Sequence, residues 1–173
     1  MAPRESLDWI QSKGGPLLLA EERLLPVWGG FASGSGHEFE TDYDLACSAV
    51  EYSELIRFRG EVAVSIGDEP FSTAISRLET STFELVAWSF ADNEPAVLEH
   101  LSRRPDDLFQ SAPTFDYPVH SARLVLFDSA APGSEADSSL RLDVEPGTYR
   151  VCSKYWQPDE NTGLVLHRFE RRT

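Results

Sequence analysis

Residue types that could bind a metal ion are present, but their spacing does not prepare a site. The histidines fall on different predicted elements, without the i, i+4 or Cys-x-x-Cys spacing that favours zinc. They are His37, His100, His120 and His167. The pair Asp42-x-Asp44 offers two carboxylates, yet a divalent cation needs further oxygen ligands beside them. The sequence therefore predicts no metal and no cofactor.

Motifs for nucleophilic catalysis are also missing from the sequence. No Gly-x-Ser-x-Gly segment occurs, and Ser33-Gly34-Ser35-Gly36 lacks the Gly-Lys-Ser/Thr ending of a phosphate-binding loop. Adjacent carboxylates occur as Asp68-Glu69, Asp106-Asp107 and Asp159-Glu160. A glycosidase needs two acids about 5 to 9.5 Å apart, but a chain with 29 acidic residues produces such pairs without function. We expect a protein that is not an enzyme, with a small acidic hydrolase as one alternative.

One segment, residues 37–54, combines acidic with aromatic side chains and contains no Lys or Arg. Aromatic residues give contact area at low entropy cost, and carboxylates steer a basic partner. The residues that we predict to bind a partner are Glu38, Glu40, Asp42, Tyr43, Asp44, Glu51, Tyr52 and Glu54. Two alternatives stay open: a solvated acidic face without a partner, and a short helix in which Tyr43 and Cys47 pack inward.

The charge of the chain limits the class of partner. With 15 Lys and Arg against 29 Asp and Glu, the net charge is −14 over 173 residues. Because binding to polyanions relies on Lys and Arg, we expect neither nucleic acid nor a membrane surface as partner. A partner selected by charge would be basic.

The expected location of the protein is the cytoplasm. The first residues carry charges and no apolar run of the length that a signal peptide needs. The two cysteines, Cys47 and Cys152, do not form the dense framework of a small secreted domain. We therefore predict two thiols rather than a disulfide.

Alternating apolar residues predict a β-rich protein. Hairpins are expected over 56–66 and 71–90, and further strands over 124–127, 140–144, 149–155 and 164–169. The expected core residues are Val64, Ile66, Leu85, Trp28, Trp88, Phe127, Tyr149 and Val151. Glycine, serine and proline predict irregular loops over 29–36 and 129–139.

A helix is predicted over 92–104, with Asp92 as its cap, Pro95 in its first turn and Pro105 beyond its end. Shorter helices are expected near 21–25 and 43–49. The fold class is therefore α+β and rich in β-structure, with antiparallel hairpins in one or two sheets packed against the long helix.

The domain organisation expected from length is a single domain, 1–173. A weak similarity between the two parts of the chain leaves a second arrangement open. In it, two similar β-rich lobes, about 1–91 and 119–173, are joined by the helix 92–104.

Short motifs occur in a characteristic order along most of the chain. They are Trp9 followed by Gly14–Leu19, then Leu25–Gly30, Asp42–Cys47, Gly67–Pro70, Trp88–Asp92, Leu126–Gly133 and Pro146–Val151. In order and spacing they resemble the bacterial immunity 21 proteins of polymorphic toxin systems. Leu45 stands where that family usually has a basic residue.

The resemblance implies a small cytoplasmic protein that neutralises a toxin, encoded by a neighbouring gene, through stoichiometric binding. It implies no catalytic residues. The family-motif positions with an expected structural role are Trp28, Gly29, Cys47, Asp68, Pro70, Asp128, Ser129, Gly133, Pro146, Gly147 and Tyr149. The net charge is compatible with a basic toxin such as a nuclease. A ligand-sensing or structural domain is the remaining alternative.

Overall fold

A computed structural model describes residues 6–67, 69 and 71–173. The strands are β1 (Trp9–Ile10), β2 (Leu17–Glu21), β3 (Ser53–Phe58), β4 (Glu61–Ile66), β5 (Ser72–Glu79), β6 (Thr82–Phe90), β7 (Thr114–Val119), β8 (Arg123–Asp128), β9 (Ser139–Asp143), β10 (Gly147–Asp159) and β11 (Thr162–Arg171). The helices are α1 (Asp42–Cys47) and α2 (Glu94–Ser102), with short 3-10 turns at Glu22–Val27 and Gly133–Glu135. This confirms the β-rich α+β class.

The strands form two sheets in which every ladder is antiparallel. The six-stranded sheet has the order β1-β5-β6-β11-β10-β7, and the five-stranded sheet has the order β3-β4-β2-β8-β9. Both predicted hairpins form, as β3-β4 and β5-β6. Each sheet takes strands from 1–91 and from 119–173, so neither part of the chain forms a sheet of its own.

The main core lies between the two sheets. Leu17, Val64 and Leu126 face it from the five-stranded sheet, while Leu85 and Phe169 face it from the six-stranded sheet. Alternation along each strand produces this face, because successive side chains point to opposite sides of a sheet.

The outer faces of both sheets are covered as well. The 3-10 turn at Glu22–Val27 and α1 pack on the five-stranded sheet around Trp28, Phe58 and Phe127. Helix α2 packs on the six-stranded sheet through Val97 and Leu101. The resulting order is helix, sheet, sheet, helix.

Several sequence predictions need correction. The cap of α2 is Asn93, whose side chain accepts from the backbone N–H of Ala96, and not Asp92. Trp88 is only half-buried beside Trp9, whereas the other predicted core residues are buried. Strand β7 was not predicted. No disulfide joins Cys47 to Cys152, which confirms two thiols.

Candidate partner-binding surface

Three of the sequence motifs meet at one end of the five-stranded sheet, in what we call the loop cluster (residues 14–16, 28–42 and 128–133). The indole N–H of Trp28 donates to the carbonyl of Ser129 at 2.9 Å. The hydroxyl of Ser129 donates to the carbonyl of Pro16 at 2.6 Å, and the N–H of Gly133 donates to the carbonyl of Trp28 at 2.9 Å. These bonds tie segments about a hundred residues apart in sequence into one unit.

The glycine of the Leu126–Gly133 motif is explained by close backbone approach. A Cβ atom on Gly133 would lie 2.0 Å from the carbonyl oxygen of Leu25. Gly30 has a φ of +55°, and a Cβ atom there would lie 2.4 Å from the carbonyl oxygen of Ala130. Only glycine lets these loops pack this closely.

Asp42 holds the middle of the loop cluster. Its carboxylate is fully buried and accepts hydrogen bonds from the N–H of Gly29 at 2.6 Å and the hydroxyl of Ser35 at 2.5 Å. Its second oxygen lies 2.7 Å from Nε2 of His37. Because a carboxylate can only accept, a ring proton on Nε2 is donated to Asp42, while the backbone N–H groups of Ser35 and Phe39 lie farther off, 3.3 Å from Nε2 and 3.2 Å from Nδ1.

This arrangement corrects the prediction for Asp42. A carboxylate needs partners when it is buried, and here the preceding loop supplies them. Asp42 therefore stabilises the loop from inside and does not belong to the exposed surface. Asp44 points to solvent, so the two acids of the Asp-x-Asp pair do not face a common metal site.

An exposed aromatic pair lies on the loop cluster. Phe31 is 62% exposed, and its ring lies 4.6 Å from the ring of Tyr43. The Tyr43 hydroxyl donates to the carbonyl of Gly14 at 2.7 Å. A hydrogen bond with Cys47 together with partial burial raises the pKa of Tyr43 to about 12. Tyr43 is thus both fixed in place and partly accessible.

Five further acidic side chains of the segment 37–54 are accessible to solvent. Glu38, Glu40, Asp44 and Glu51 are exposed, and Glu54 is half-buried. None of these five takes part in the ion pairs found among the described residues. Asp44 closes the capping box of α1 with Thr41, and Glu54 accepts from the N–H of Val50 at 3.1 Å.

The rest of the surface continues past the end of α1. Val50 is 87% exposed and Tyr52 is 48% exposed. Beyond them, a groove of about 660 Å³ separates β3 from β7 and β10. We use the name acidic surface for Phe31, Glu38, Glu40, Tyr43, Asp44, Val50, Glu51, Tyr52 and Glu54.

The remaining motif residues have structural surroundings. Asp128 accepts from the backbone N–H groups of Lys13 and Ala130. At another turn Gly147 has a φ of +153°, the Pro146 carbonyl accepts from Arg171, and the Tyr149 hydroxyl donates to the Glu145 carbonyl. Cys47 is exposed at the end of α1. Asp68 and Pro70 lie outside the described residues.

Sequence reasoning missed Phe31 and the groove. The only signal for Phe31 was a single aromatic residue inside a Gly- and Ser-rich loop, directly after a motif. In the part of the chain that the structure describes, no three His, Cys, Asp or Glu side chains are grouped to hold a metal ion. No helix of the described residues is long and apolar enough to cross a membrane.

The fold and this surface define a small two-sheet protein whose rigid loops present aromatic and acidic groups. The family model described as immunity protein 21 matches residues 8–162. The chain belongs to the immunity protein 21 family. The searches of curated proteins and of solved structures gave no match.

Proposed function

We propose that this protein neutralises a bacterial toxin by binding it in a stoichiometric complex. The observation that carries the proposal is the match to the immunity protein 21 model over residues 8–162. The proposed partner is a toxin domain encoded by a neighbouring gene, met in the cytoplasm. Neutralisation by binding requires no catalytic residue of this chain.

The proposed contact is the acidic surface. Hydrogen bonds hold the loop beneath Phe31 and Tyr43, so the aromatic pair loses little conformational entropy on binding. Aromatic side chains in such positions supply a large part of binding energy. Phe31, absent from our sequence prediction, is therefore the first anchor that we propose.

The proposed partner is basic because the acidic side chains of this surface take part in no ion pair among the residues that the structure describes. Unneutralised carboxylates accelerate association with a basic domain and disfavour acidic partners. Asp42 keeps an indirect role, because it holds the loop on which Phe31 and Glu38 lie. Only the charge of this surface supports a basic nuclease as the toxin.

The experiment that tests the function is co-expression with the toxin domain encoded next to this chain. Cells that produce the toxin domain alone should stop growing, and cells that also produce this protein should grow. The purified pair should migrate as a 1:1 complex. Growth arrest in the presence of abundant, folded protein would contradict the proposal.

A further inference from the structure

The edges of the two sheets are protected to different degrees. An uncovered edge strand is a template for pairing with another strand, and proteins normally block it. Strand β1 has two residues, and β7 carries Pro118, which cannot donate to a ladder. On β9, the backbone carbonyl of Asp143 is already occupied, because it accepts a hydrogen bond from the side chain of Arg77.

Strand β3 lacks these protections. It has six residues, Ser53–Phe58, none of which is proline. Its ladder joins β4 on one side only. Among the described residues, no hydrogen bond other than this ladder reaches the backbone of β3. Within the described part of the chain, the outward backbone groups of β3 therefore have no hydrogen-bond partner.

The groove beside this edge has an apolar wall. Leu55 lines it from β3, Phe115 from β7 and Tyr155 from β10. A volume of about 660 Å³ accommodates large side chains rather than only water. A strand added to β3 would place alternate side chains towards this groove.

The floor of the groove is held by a hydrogen-bond chain between the sheets. The hydroxyl oxygens of Ser53 and Ser153 lie 2.5 Å apart, and Ser153 Oγ lies 2.8 Å from Nδ1 of His167. Since Ser53 belongs to β3 and Ser153 to β10, the chain fixes β3 against the six-stranded sheet.

The mouth of the groove is apolar and acidic. Tyr52 is exposed there, and Glu51 and Glu54, which also line the groove, take part in none of the ion pairs found among the described residues. Of the described residues that line the groove, Lys154 on β10 is the only cationic one. A second copy of this chain is a poor occupant, since each copy carries a net charge of −14.

We propose that an extended segment of the toxin domain pairs with the outer edge of β3 and continues the five-stranded sheet. Main-chain hydrogen bonds give affinity in this mode, and side-chain pockets give specificity. An apolar side chain of the segment enters the groove beside Leu55, and a Lys or Arg contacts Glu51 and Glu54. The inference rests on the proposed function, because it names the contact that the toxin makes.

Amide hydrogen exchange, followed by NMR on the labelled protein alone and in complex with the toxin domain, tests the pairing. In the free protein, the inward amides of 53–58 should be protected by β4, and the outward amides should exchange fast. In the complex, the outward amides should slow by about 100-fold or more, at alternate residues. The amides of β9, at the opposite edge of the five-stranded sheet, serve as the control and should not change.

The other outcomes contradict the inference in distinguishable ways. A stable complex in which the outward amides of β3 still exchange fast would overturn strand pairing and leave the proposed function intact. Slow outward amides in concentrated protein without toxin would assign the edge to a second copy. Absence of any complex would overturn the proposed function and this inference together.

A charge variant tests the side-chain contact separately. Glu51→Gln with Glu54→Gln should weaken toxin binding by about tenfold and reduce its salt dependence. Glutamine at 54 can still accept from the N–H of Val50. The matched control is Glu79→Gln with Glu160→Gln, two exposed acids outside the described ion pairs. Equal affinity of the two variants would contradict the contact.

Discussion

The acidic residues on the two outer faces of the molecule differ in burial and in ion pairing. On the α2 face, Glu84 is fully buried and is paired with both Arg104 and Arg168. The guanidinium of Arg168 also lies 4.4 Å above the ring of Phe109. On the α1 face, the carboxylates of the acidic surface are exposed or half-buried, and in the described part of the chain none of them forms an ion pair. The difference separates acids that hold the fold from acids that are available to a partner.

The same contrast occurs within one turn of α1. Asp42 is buried with three donors, whereas the neighbouring Asp44 is exposed and only caps the helix. The net charge alone therefore does not show which acidic residues of this chain stabilise the fold. Their partners decide which of them contribute to stability.

The largest expected effect is on the α2 face. Glu84→Ala leaves Arg104 and Arg168 without their buried partner and should lower the free energy of unfolding by about 3 to 5 kcal/mol. Glu40→Ala on the α1 face should change it by less than about 0.5 kcal/mol. Denaturant unfolding measures both, and similar losses would remove the distinction between the faces.

The next prediction compares how much stability is lost when either of the two acidic residues of α1 is replaced. Asp42→Ala leaves Gly29 N–H, Ser35 and His37 without their acceptor and should cost about 3 kcal/mol. Asp44→Ala loses only the capping-box contact and should cost about 1 kcal/mol. Thermal unfolding of the two variants checks the order. A larger loss for Asp44 would mean that the loop cluster does not depend on Asp42.

A binding prediction concerns the exposed aromatic pair. Phe31→Ala should weaken toxin binding by about thirtyfold, which is about 2 kcal/mol. Since Phe31 is 62% exposed, the melting temperature should stay close to that of the wild-type protein. Isothermal titration and a melting curve together measure the two quantities. Unchanged affinity would show that Phe31 does not anchor the toxin domain and that the main contact lies outside the loop cluster.

The pH dependence of stability is expected to come in part from His167, which is buried on β11. Burial lowers the pKa of His167 from 6.5 to about 3. Between these values the unfolded chain binds a proton that the folded protein does not, so stability falls as the pH is lowered below 6.5. From pH 6.5 to 5 this group should remove about 2 kcal/mol.

The check is the pH dependence of unfolding in His167→Gln. This variant should lose about 2 kcal/mol less than the wild-type protein between pH 6.5 and 5. The exposed His120→Gln is the matched control and should behave as the wild type. The same acid sensitivity in all three proteins would show that His167 titrates normally in the fold.

Local sequence patterns predicted the hairpins and α2, because alternation and helix capping act over a few residues. They did not predict β7, since Pro118 is unfavourable in a strand unless the strand lies at an edge. They missed β2 because Leu17–Ala20 is apolar throughout, and its strand is buried on both sides. Sheet order, which makes β3 an edge, depends on contacts distant in sequence.

The sequence predicted only part of the candidate site, because the rest of the site also depends on how distant segments fold together. The segment 37–54 was singled out by composition, and most of its acids are exposed. Composition could not separate Asp42 from Asp44, since the donors to Asp42 lie as far back as Gly29 and depend on how the loop folds. Phe31 gains its importance from ring contact with Tyr43, which no local pattern indicates.

The most direct test of the acidic surface is the affinity of two triple charge reversals for the toxin domain. Glu38→Lys, Glu40→Lys and Glu51→Lys change the acidic surface and leave Asp42 and the α1 cap untouched. Glu79→Lys, Asp107→Lys and Glu160→Lys make the same change of net charge at exposed acids outside the described ion pairs. Both proteins should melt near the wild-type temperature.

The account predicts that the first triple variant loses about 100-fold or more in affinity, and that the loss shrinks at high salt. The second should lose less than about threefold, because its charges lie away from the contact. Equal losses would show that net charge alone governs binding. Full affinity of the first variant would contradict the proposal that the acidic surface contacts the toxin. The loop 129–139 would then be the next contact to test.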